Sequence, residues 1–201
     1  MGQIKFVYFD IGGVLLNWEN SLIKLAEKHS KSKKKVFDVF YKHDLTFGRG
    51  THTAEEMTKI MQKDLEIDDK NFNYIAYCAS QFVPITEMHE FVHELKNTHK
   101  IGLLTNLHTD TFDFIMQYGS VPNINYYAII KSYEVGFVKP EPEIYQIAQQ
   151  KADVAPDEIL FIDDMSVNIE AAKNLGWHGH VFDKNDPEKS IEEIKKKLKT
   201  R

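Results

Sequence analysis

The sequence predicts an α/β fold in which an all-helical cap is inserted into a parallel-sheet core. Short apolar runs that end in polar residues recur along the chain and alternate, in its later part, with helical patterns. Such alternation is typical of right-handed βαβ units around a parallel, Rossmann-like sheet. Residues 17–84 break the alternation with helical patterns and no strand pattern. We therefore expect a core of residues 1–16 and 85–201 and a helical cap of residues 17–84.

The apolar runs that predict the buried strands are bounded by turn-forming or polar residues. The clearest runs are 4–9, which ends at Asp10, 101–104, which ends at Thr105-Asn106, and 159–162, which ends at Asp163-Asp164. Weaker candidates are 128–130 and 178–182.

Helical patterns fill the segments between these runs. In the core we expect helices over 85–98, 109–118, 141–151 and 166–175 and from Asp186-Pro187 onward, and in the cap over 21–29, 36–43, 53–65 and 71–80. Thr53 and Glu56 have the spacing of a capping box. Asp164 or Ser166 is expected to cap the helix that follows, and the basic segment 30–35 is expected to be a solvated turn between two cap helices.

The amino-acid composition excludes several classes of protein. The 201 residues are 42% hydrophobic and carry 25 Lys+Arg against 30 Asp+Glu, a net charge of −5. This hydrophobic content excludes a disordered chain, and the mild acidity argues against a nucleic-acid partner. The single cysteine, Cys78, excludes an internal disulfide framework. Because no apolar run approaches membrane-spanning length and the N-terminus lacks a signal-peptide pattern, we expect a cytoplasmic protein without a membrane partner, as a monomer or a homodimer.

The polar residues that end the strands predict a site, because ligands bind beyond the carboxyl ends of strands in open α/β sheets. Asp10, Asp163 and Asp164 would repel one another there unless a cation lay between them, and an all-oxygen set suits Mg²⁺. Gly12 and Gly13 allow a tight turn close to a ligand. Taken singly, each of these residues has an ordinary explanation as a turn, a helix cap or a loop; their joint order favours a functional site.

Four ordered segments resemble the motifs of the haloacid dehalogenase-like (HAD) hydrolase superfamily, subfamily I with a C1 helical cap. These segments are Phe9-Asp10-Ile11-Gly12-Gly13-Val14-Leu15, Leu104-Thr105-Asn106, Lys139-Pro140-Glu141-Pro142-Glu143-Ile144-Tyr145 and Phe161-Ile162-Asp163-Asp164-Met165-Ser166-Val167-Asn168. The resemblance covers nearly the whole chain, since the helical insert falls where this family places its C1 cap. The cap segment Arg49-Gly50-Thr51-His52-Thr53 resembles a short turn of these proteins.

The resemblance implies catalytic roles for three residues. Asp10 would be the nucleophile that forms an aspartyl-phosphate, which divides one difficult displacement into two easier ones. Lys139 would neutralise charge between this carboxylate and a phosphoryl group, and the Thr105 hydroxyl would hold phosphoryl oxygens.

The resemblance also implies a metal site and a substrate site. Mg²⁺ would be held by Asp10, the backbone carbonyl of Gly12 and Asp164, with Asp163 beside it, and Asn168 would orient this site. Asn106 and the Gly12-Gly13 turn would join Thr105 in binding substrate.

One position departs from the family pattern. Phosphatases of this superfamily usually carry a second Asp, the general acid and base, two residues after the nucleophile, where this chain has Gly12. Three explanations stay open: another group, with His43, His52 and Asp44 of the cap as candidates, replaces it; the substrate has a good leaving group; or catalysis is inefficient.

The function expected is a Mg²⁺-dependent phosphatase of small phosphorylated metabolites, with sugar phosphates as one class of substrate. The first alternative is a non-catalytic or regulatory phosphoryl-binding protein. The second is a 2-haloacid dehalogenase, which the paired Asp163-Asp164 disfavours because that reaction uses no metal.

Overall fold

The computed structural model describes residues 3–199. Residues 1–2 and 200–201 of the predicted core, and with them the very N-terminus of the expected leaderless start, lie outside the described residues. Five parallel strands form the main sheet in the order β5-β4-β1-β6-β7. These strands are β1 (Phe6–Phe9), β4 (Lys100–Thr105), β5 (Ala128–Lys131), β6 (Ile159–Asp163) and β7 (His178–Val181).

Helices cover both faces of this sheet. In the core they are α5 (Thr86–Leu95), α6 (Thr111–Gln117), α7 (Ser132–Val135), α8 (Pro142–Ala152), α9 (Ser166–Asn174) and α10 (Pro187–Lys199), with a 3₁₀ turn at Pro156–Glu158. The parallel sheet confirms the predicted α/β fold. No helix of residues 3–199 combines the length and the apolar composition that crossing a membrane requires.

Alternation along β1 explains how the sheet is buried on both sides. Val7 and Phe9 point into one apolar cluster, which also contains Met88 of α5. Phe6 and Tyr8 point into a second cluster, which contains Tyr145 of α8. Since successive side chains of a strand face opposite sides, a strand buried on both faces is apolar throughout, as the sequence of β1 is.

Residues 19–80 form four helices with an apolar cluster of their own. The helices are α1 (Glu19–Lys28), α2 (Lys33–Gly48), α3 (Ala54–Leu65) and α4 (Tyr74–Ser80). Their cluster includes Leu25, Phe47 and Met61. The chain passes between this unit and the sheet through a two-stranded antiparallel ribbon of β2 (Leu16–Asn17) and β3 (Val83–Pro84). The ribbon supports the boundaries proposed above, which we retain as a proposal.

Three local expectations were wrong and one was confirmed. The ribbon supplies short strands at the margins of the segment 17–84, where no strand was expected. The basic segment is only partly a turn: α2 begins at Lys33, because Ser32 accepts a hydrogen bond from the Lys35 N–H (3.2 Å) and lysine is a good helix former. Helix α9 has Met165 at its N-cap, without a side-chain cap. The Thr53–Glu56 capping box is present as predicted.

Candidate active site

The functional side chains converge because adjacent parallel strands end at the same edge of the sheet. Phe9 pairs with Leu103 of β4 and with Ile162 of β6. Asp10 follows β1, Thr105 is the last residue of β4, and Asp163 is the last residue of β6. The register therefore brings together residues that are distant from one another in the sequence.

Three carboxylates form the centre of the site. Ligand oxygens of Asp10, Asp163 and Asp164 all lie within 4.8 Å of one another. Burial, together with the charges of Asp163 and Asp164, raises the pKa of Asp10 to about 7 against the lowering effect of Lys139. Burial and the charge of Asp163 also raise the pKa of Asp164. A cation among the three would remove this repulsion, so they are a candidate metal site.

Lys139 is the buried cation beside these carboxylates. Its Nζ lies 2.9 Å from Asp10 Oδ1 and 2.6 Å from Asp163 Oδ2, and the residue is only 3% exposed. Burial alone would lower the pKa of Lys139, but Asp10 and Asp163 hold it above its ordinary value. The lysine is therefore charged at neutral pH and fixes the orientation of Asp10.

Asn106 positions the lysine through its backbone. The Asn106 Oδ1 accepts a hydrogen bond from the Lys139 N–H (2.8 Å), and its Nδ2 donates to the Lys139 carbonyl (3.1 Å). Both ends of the amide are thus bonded to the loop before α8. Substrate contact by Asn106 stays a prediction, and the structure adds a positioning role.

Asn168 lies against Asp163. Its Nδ2 donates to both oxygens of that carboxylate, at 3.0 and 3.1 Å, and the Met165 N–H donates to Asp163 Oδ1 (2.8 Å). Asp163 therefore has bonds from Lys139, Asn168 and the backbone, which leave it little freedom. The predicted orienting role of Asn168 would act through Asp163.

Position 13 requires glycine for steric reasons. Its φ is +77°, and a Cβ built on it would lie 2.1 Å from Asp164 Oδ2. Only glycine allows Asp164 to lie directly over this turn. At Gly12 a Cβ would lie 3.0 Å from Cδ1 of the Trp18 indole.

A cavity of about 390 Å³ lies over the carboxylates, between the strand ends and the cap. Among the predicted site residues, those on its wall are Asp10, Gly12, Asn106, Lys139, Asp164 and Asn168. Thr105, Gly13 and Asp163 are buried, and they are not part of this wall as the structure describes it. Contact of Thr105 and Gly13 with a phosphoryl group stays a prediction.

The three candidates for the missing acid and base differ in position. His43 bonds Asp64 of α3 (2.8 Å), His52 bonds Thr51 (2.8 Å), and neither residue is on the described cavity wall. Asp44 is on the wall, where its Oδ1 lies 2.9 Å from Nε2 of His108.

His108 and Trp18 are cavity residues that sequence reasoning missed. His108 could have been noticed, since it comes three residues after Thr105 at a strand end. No local pattern predicts the packing of Trp18 against Gly12, which depends on how the chain enters the cap.

The family model of the haloacid dehalogenase-like hydrolases matches residues 7–181. The chain belongs to this family. The match confirms the resemblance, and the protein is an enzyme of the HAD hydrolase class.

Individual HAD proteins resemble the chain over most of its length. It is 25% identical over 195 residues to D-ribitol-5-phosphate phosphatase from Bacteroides thetaiotaomicron, covering 87% of this chain and 90% of that protein. A predicted HAD-like family hydrolase from Porphyromonas gingivalis superposes with a TM-score of 0.79 at 20% identity, over 100% of both chains.

A HAD family enzyme from B. thetaiotaomicron, in complex with magnesium and inorganic phosphate, superposes with a TM-score of 0.72 at 22% identity. The superposition covers 90% of this chain and 94% of that one. At these identities the structural likenesses show the shared fold.

Proposed function

We propose that this HAD enzyme is a Mg²⁺-dependent phosphatase of small phosphate monoesters that forms an aspartyl-phosphate on Asp10. The observation that carries the proposal is the contact of Asp10 with Lys139 at the floor of a cavity whose wall also includes Asp164. A buried carboxylate held by a cation, open to a cavity of small-molecule size, is suited to nucleophilic attack.

Mg²⁺ fits the donor set. Three carboxylates with ligand oxygens within 4.8 Å of one another carry more negative charge than Lys139 balances. Asp10, Asp164 and the Gly12 carbonyl would hold the ion, with Asp163 beside it. When bound, Mg²⁺ would supply positive charge for the phosphoryl oxygens. The relative complexed with magnesium and phosphate supports this choice of ion.

Residues of the chain carry out the first step, in which Asp10 displaces the alcohol from phosphorus. Lys139 and the Ile11 N–H both bond Asp10 Oδ1, so the other carboxylate oxygen would be the one that attacks phosphorus. Asp10 attacks, the ester P–O bond breaks, and its electron pair leaves with the alcohol oxygen. Thr105 and the Gly12-Gly13 turn would bind the phosphoryl oxygens, while the cap limits access of water and of bulky substrates.

Water completes the cycle. It attacks the phosphorus of the aspartyl-phosphate, the P–O bond to Asp10 breaks, and the carboxylate leaves with the electron pair. Inorganic phosphate departs with the protons of that water. Sugar phosphates are a substrate class to test, given the relative named D-ribitol-5-phosphate phosphatase.

The test is release of phosphate from 4-nitrophenyl phosphate with and without Mg²⁺. We expect activity that a chelator abolishes and that Asp10→Asn lowers by at least about 10³-fold. Asp68→Asn, which changes an exposed aspartate of the cap, is the matched control and keeps full activity. Normal turnover by Asp10→Asn, or turnover indifferent to the chelator, would refute the proposal.

A second candidate, a phosphoryl-binding protein without turnover, is favoured by one observation: Gly12 stands where the usual acid–base group would be. It predicts that calorimetry detects phosphate binding while no member of a phosphate-ester panel is hydrolysed. Halide release from a 2-haloacid without metal would instead support the dehalogenase alternative.

A further inference from the structure

The position of the missing acid–base group is closed by an aromatic side chain. A Cβ on Gly12 would lie 3.0 Å from Cδ1 and 3.5 Å from Nε1 of Trp18. The indole is itself stacked on Phe40 of α2, with ring centroids 5.1 Å apart and an interplanar angle of 27°. An aromatic side chain therefore lies against the position that a Cβ at residue 12 would occupy, on the same cavity wall as the nucleophile.

The rest of the cavity wall is also largely apolar and aromatic. Its apolar and aromatic wall comprises Leu16, Trp18, Leu22, Phe40, Tyr41, Tyr74, Ile75, Phe82, Leu107 and Ile115. Among the described residues that line it, Lys139 is the only lysine and there is no arginine. Since Lys139 is bonded to Asp10 and Asp163, no such cation is left for a second phosphate or a carboxylate on the substrate.

The polar side chains of the wall are largely bonded to protein. The Ser21 hydroxyl donates to the Trp18 carbonyl (2.7 Å), Asp44 is bonded to His108, and both ends of the Asn106 amide are bonded to Lys139. These groups are therefore less available to replace the water around the hydroxyls of a polyol, whereas an apolar ring would gain from leaving water.

The chemistry of the leaving group also favours aromatic over alkyl phosphate esters. Because position 12 carries no acid, the alcohol oxygen departs as an oxyanion unless Asp44 or His108 of the cavity wall donates a proton. A phenol, with a pKa of about 10 as in tyrosine, departs far more readily than an alkyl alcohol. General acid catalysis typically contributes about 10² to 10⁴ in rate, so its loss is felt most by alkyl esters.

We propose that the substrates are phosphate monoesters of aromatic alcohols, whose ring lies against Trp18 and Phe40. This inference rests on the proposed phosphatase function and specifies its leaving group. In the first step the bond from Asp10 to phosphorus forms and the bond from phosphorus to the phenolic oxygen breaks. The phenolate leaves with the electron pair and takes its proton from solvent.

A matched set of substrates tests the inference. Phenyl phosphate has an aromatic ring and the good leaving group, benzyl phosphate has an aromatic ring with an alkyl leaving group, cyclohexyl phosphate has a saturated ring with an alkyl leaving group, and ribitol 5-phosphate is a polyol. We expect kcat/KM for phenyl phosphate to exceed that for cyclohexyl phosphate by at least about 10²-fold. Benzyl phosphate should have a lower kcat/KM than phenyl phosphate, because kcat/KM reports the first displacement and its leaving group is an alkyl alcohol.

Variants of α2 test the binding surface. Phe40→Leu should raise KM for phenyl phosphate several-fold and raise KM for cyclohexyl phosphate by a smaller factor. Phe37→Leu alters a half-buried phenylalanine of the same helix that is not on the described cavity wall, and it should change neither value. Trp18→Phe keeps a ring and should retain the KM for phenyl phosphate, which Trp18→Leu should raise.

Two results would overturn the inference while leaving the phosphatase function intact. One is Mg²⁺- and Asp10-dependent hydrolysis of ribitol 5-phosphate as efficient as that of phenyl phosphate. The other is equal turnover of the phenyl and cyclohexyl esters that collapses in His108→Asn, because His108 would then be the proton donor. Absence of hydrolysis with every ester would instead refute the proposed function.

Discussion

Gly13→Ala tests whether Asp164 holds the metal ion. Its effect on Mg²⁺ binding has to be distinguished from the backbone strain that any side chain at this position would cause. The new Cβ would lie 2.1 Å from Asp164 Oδ2, against a normal contact of about 3.5 Å, so the carboxylate must move by more than about 1 Å. Mg²⁺ demands ligands placed within about 0.2 Å. We expect the Mg²⁺ concentration for half-maximal activity to rise by at least about 10- to 100-fold.

Gly119→Ala provides the matched control. Gly119 has a φ of +68°, close to that of Gly13, and nothing lies within 4 Å of its Cβ position. Both variants should lose about 1–2 kcal/mol of folding stability through the left-handed backbone. Gly119→Ala should keep the wild-type response to Mg²⁺.

The assay is phosphate release against Mg²⁺ concentration, with calorimetric titration of Mg²⁺ into each protein and thermal unfolding as independent measurements. The expected pattern is two similarly destabilised proteins of which Gly13→Ala alone binds Mg²⁺ weakly. Unchanged Mg²⁺ binding by Gly13→Ala would show that Asp164 does not hold the ion.

Three further predictions concern single groups. Lys139→Met should lower kcat by about 10²–10³ because it removes the cation that contacts Asp10, and steady-state kinetics at saturating Mg²⁺ would show it. Gly12→Asp, which restores the usual family residue, should cost about 1–3 kcal/mol in denaturant unfolding because it overpacks Trp18, and Trp18→Ala in the same chain should recover part of the loss. Burial and then Lys197 lower the pKa of His180 to about 4, below its unfolded value near 6.5. The unfolded state therefore binds more protons at His180 between these values, so the change in stability from pH 7 to pH 4 should be about 3 kcal/mol less favourable in wild type than in His180→Gln.

The sheet and the candidate carboxylates could be predicted because their signals are local. The apolar run of β1 reports burial on both faces, and the residues that follow β1 and β6 are forced to one edge by the parallel register. The Thr53–Glu56 capping box is likewise a contact between near neighbours in sequence. Such features depend on the periodicity of the chain and on short-range hydrogen bonds.

The shape of the substrate cavity could not be predicted because it depends on contacts between separate elements. Trp18 closes the space beside Gly12 only once the β2–β3 ribbon has set the path into the cap. The Asp44–His108 pair joins α2 to the loop after β4, across 64 positions of sequence. Helix periodicity shows that a residue faces away from solvent, but not which neighbouring element it meets.

The most direct test of the account is chemical trapping of the aspartyl-phosphate during turnover. With no carboxylate at position 12 to activate water, hydrolysis of the intermediate should be slow enough for it to accumulate. Borohydride reduces an acyl phosphate to the alcohol, so peptide mass spectrometry of enzyme quenched with phenyl phosphate and Mg²⁺ should find homoserine in place of Asp10. Release of phosphate by an enzyme that yields homoserine nowhere, or at another aspartate, would contradict the assignment of Asp10 as the nucleophile.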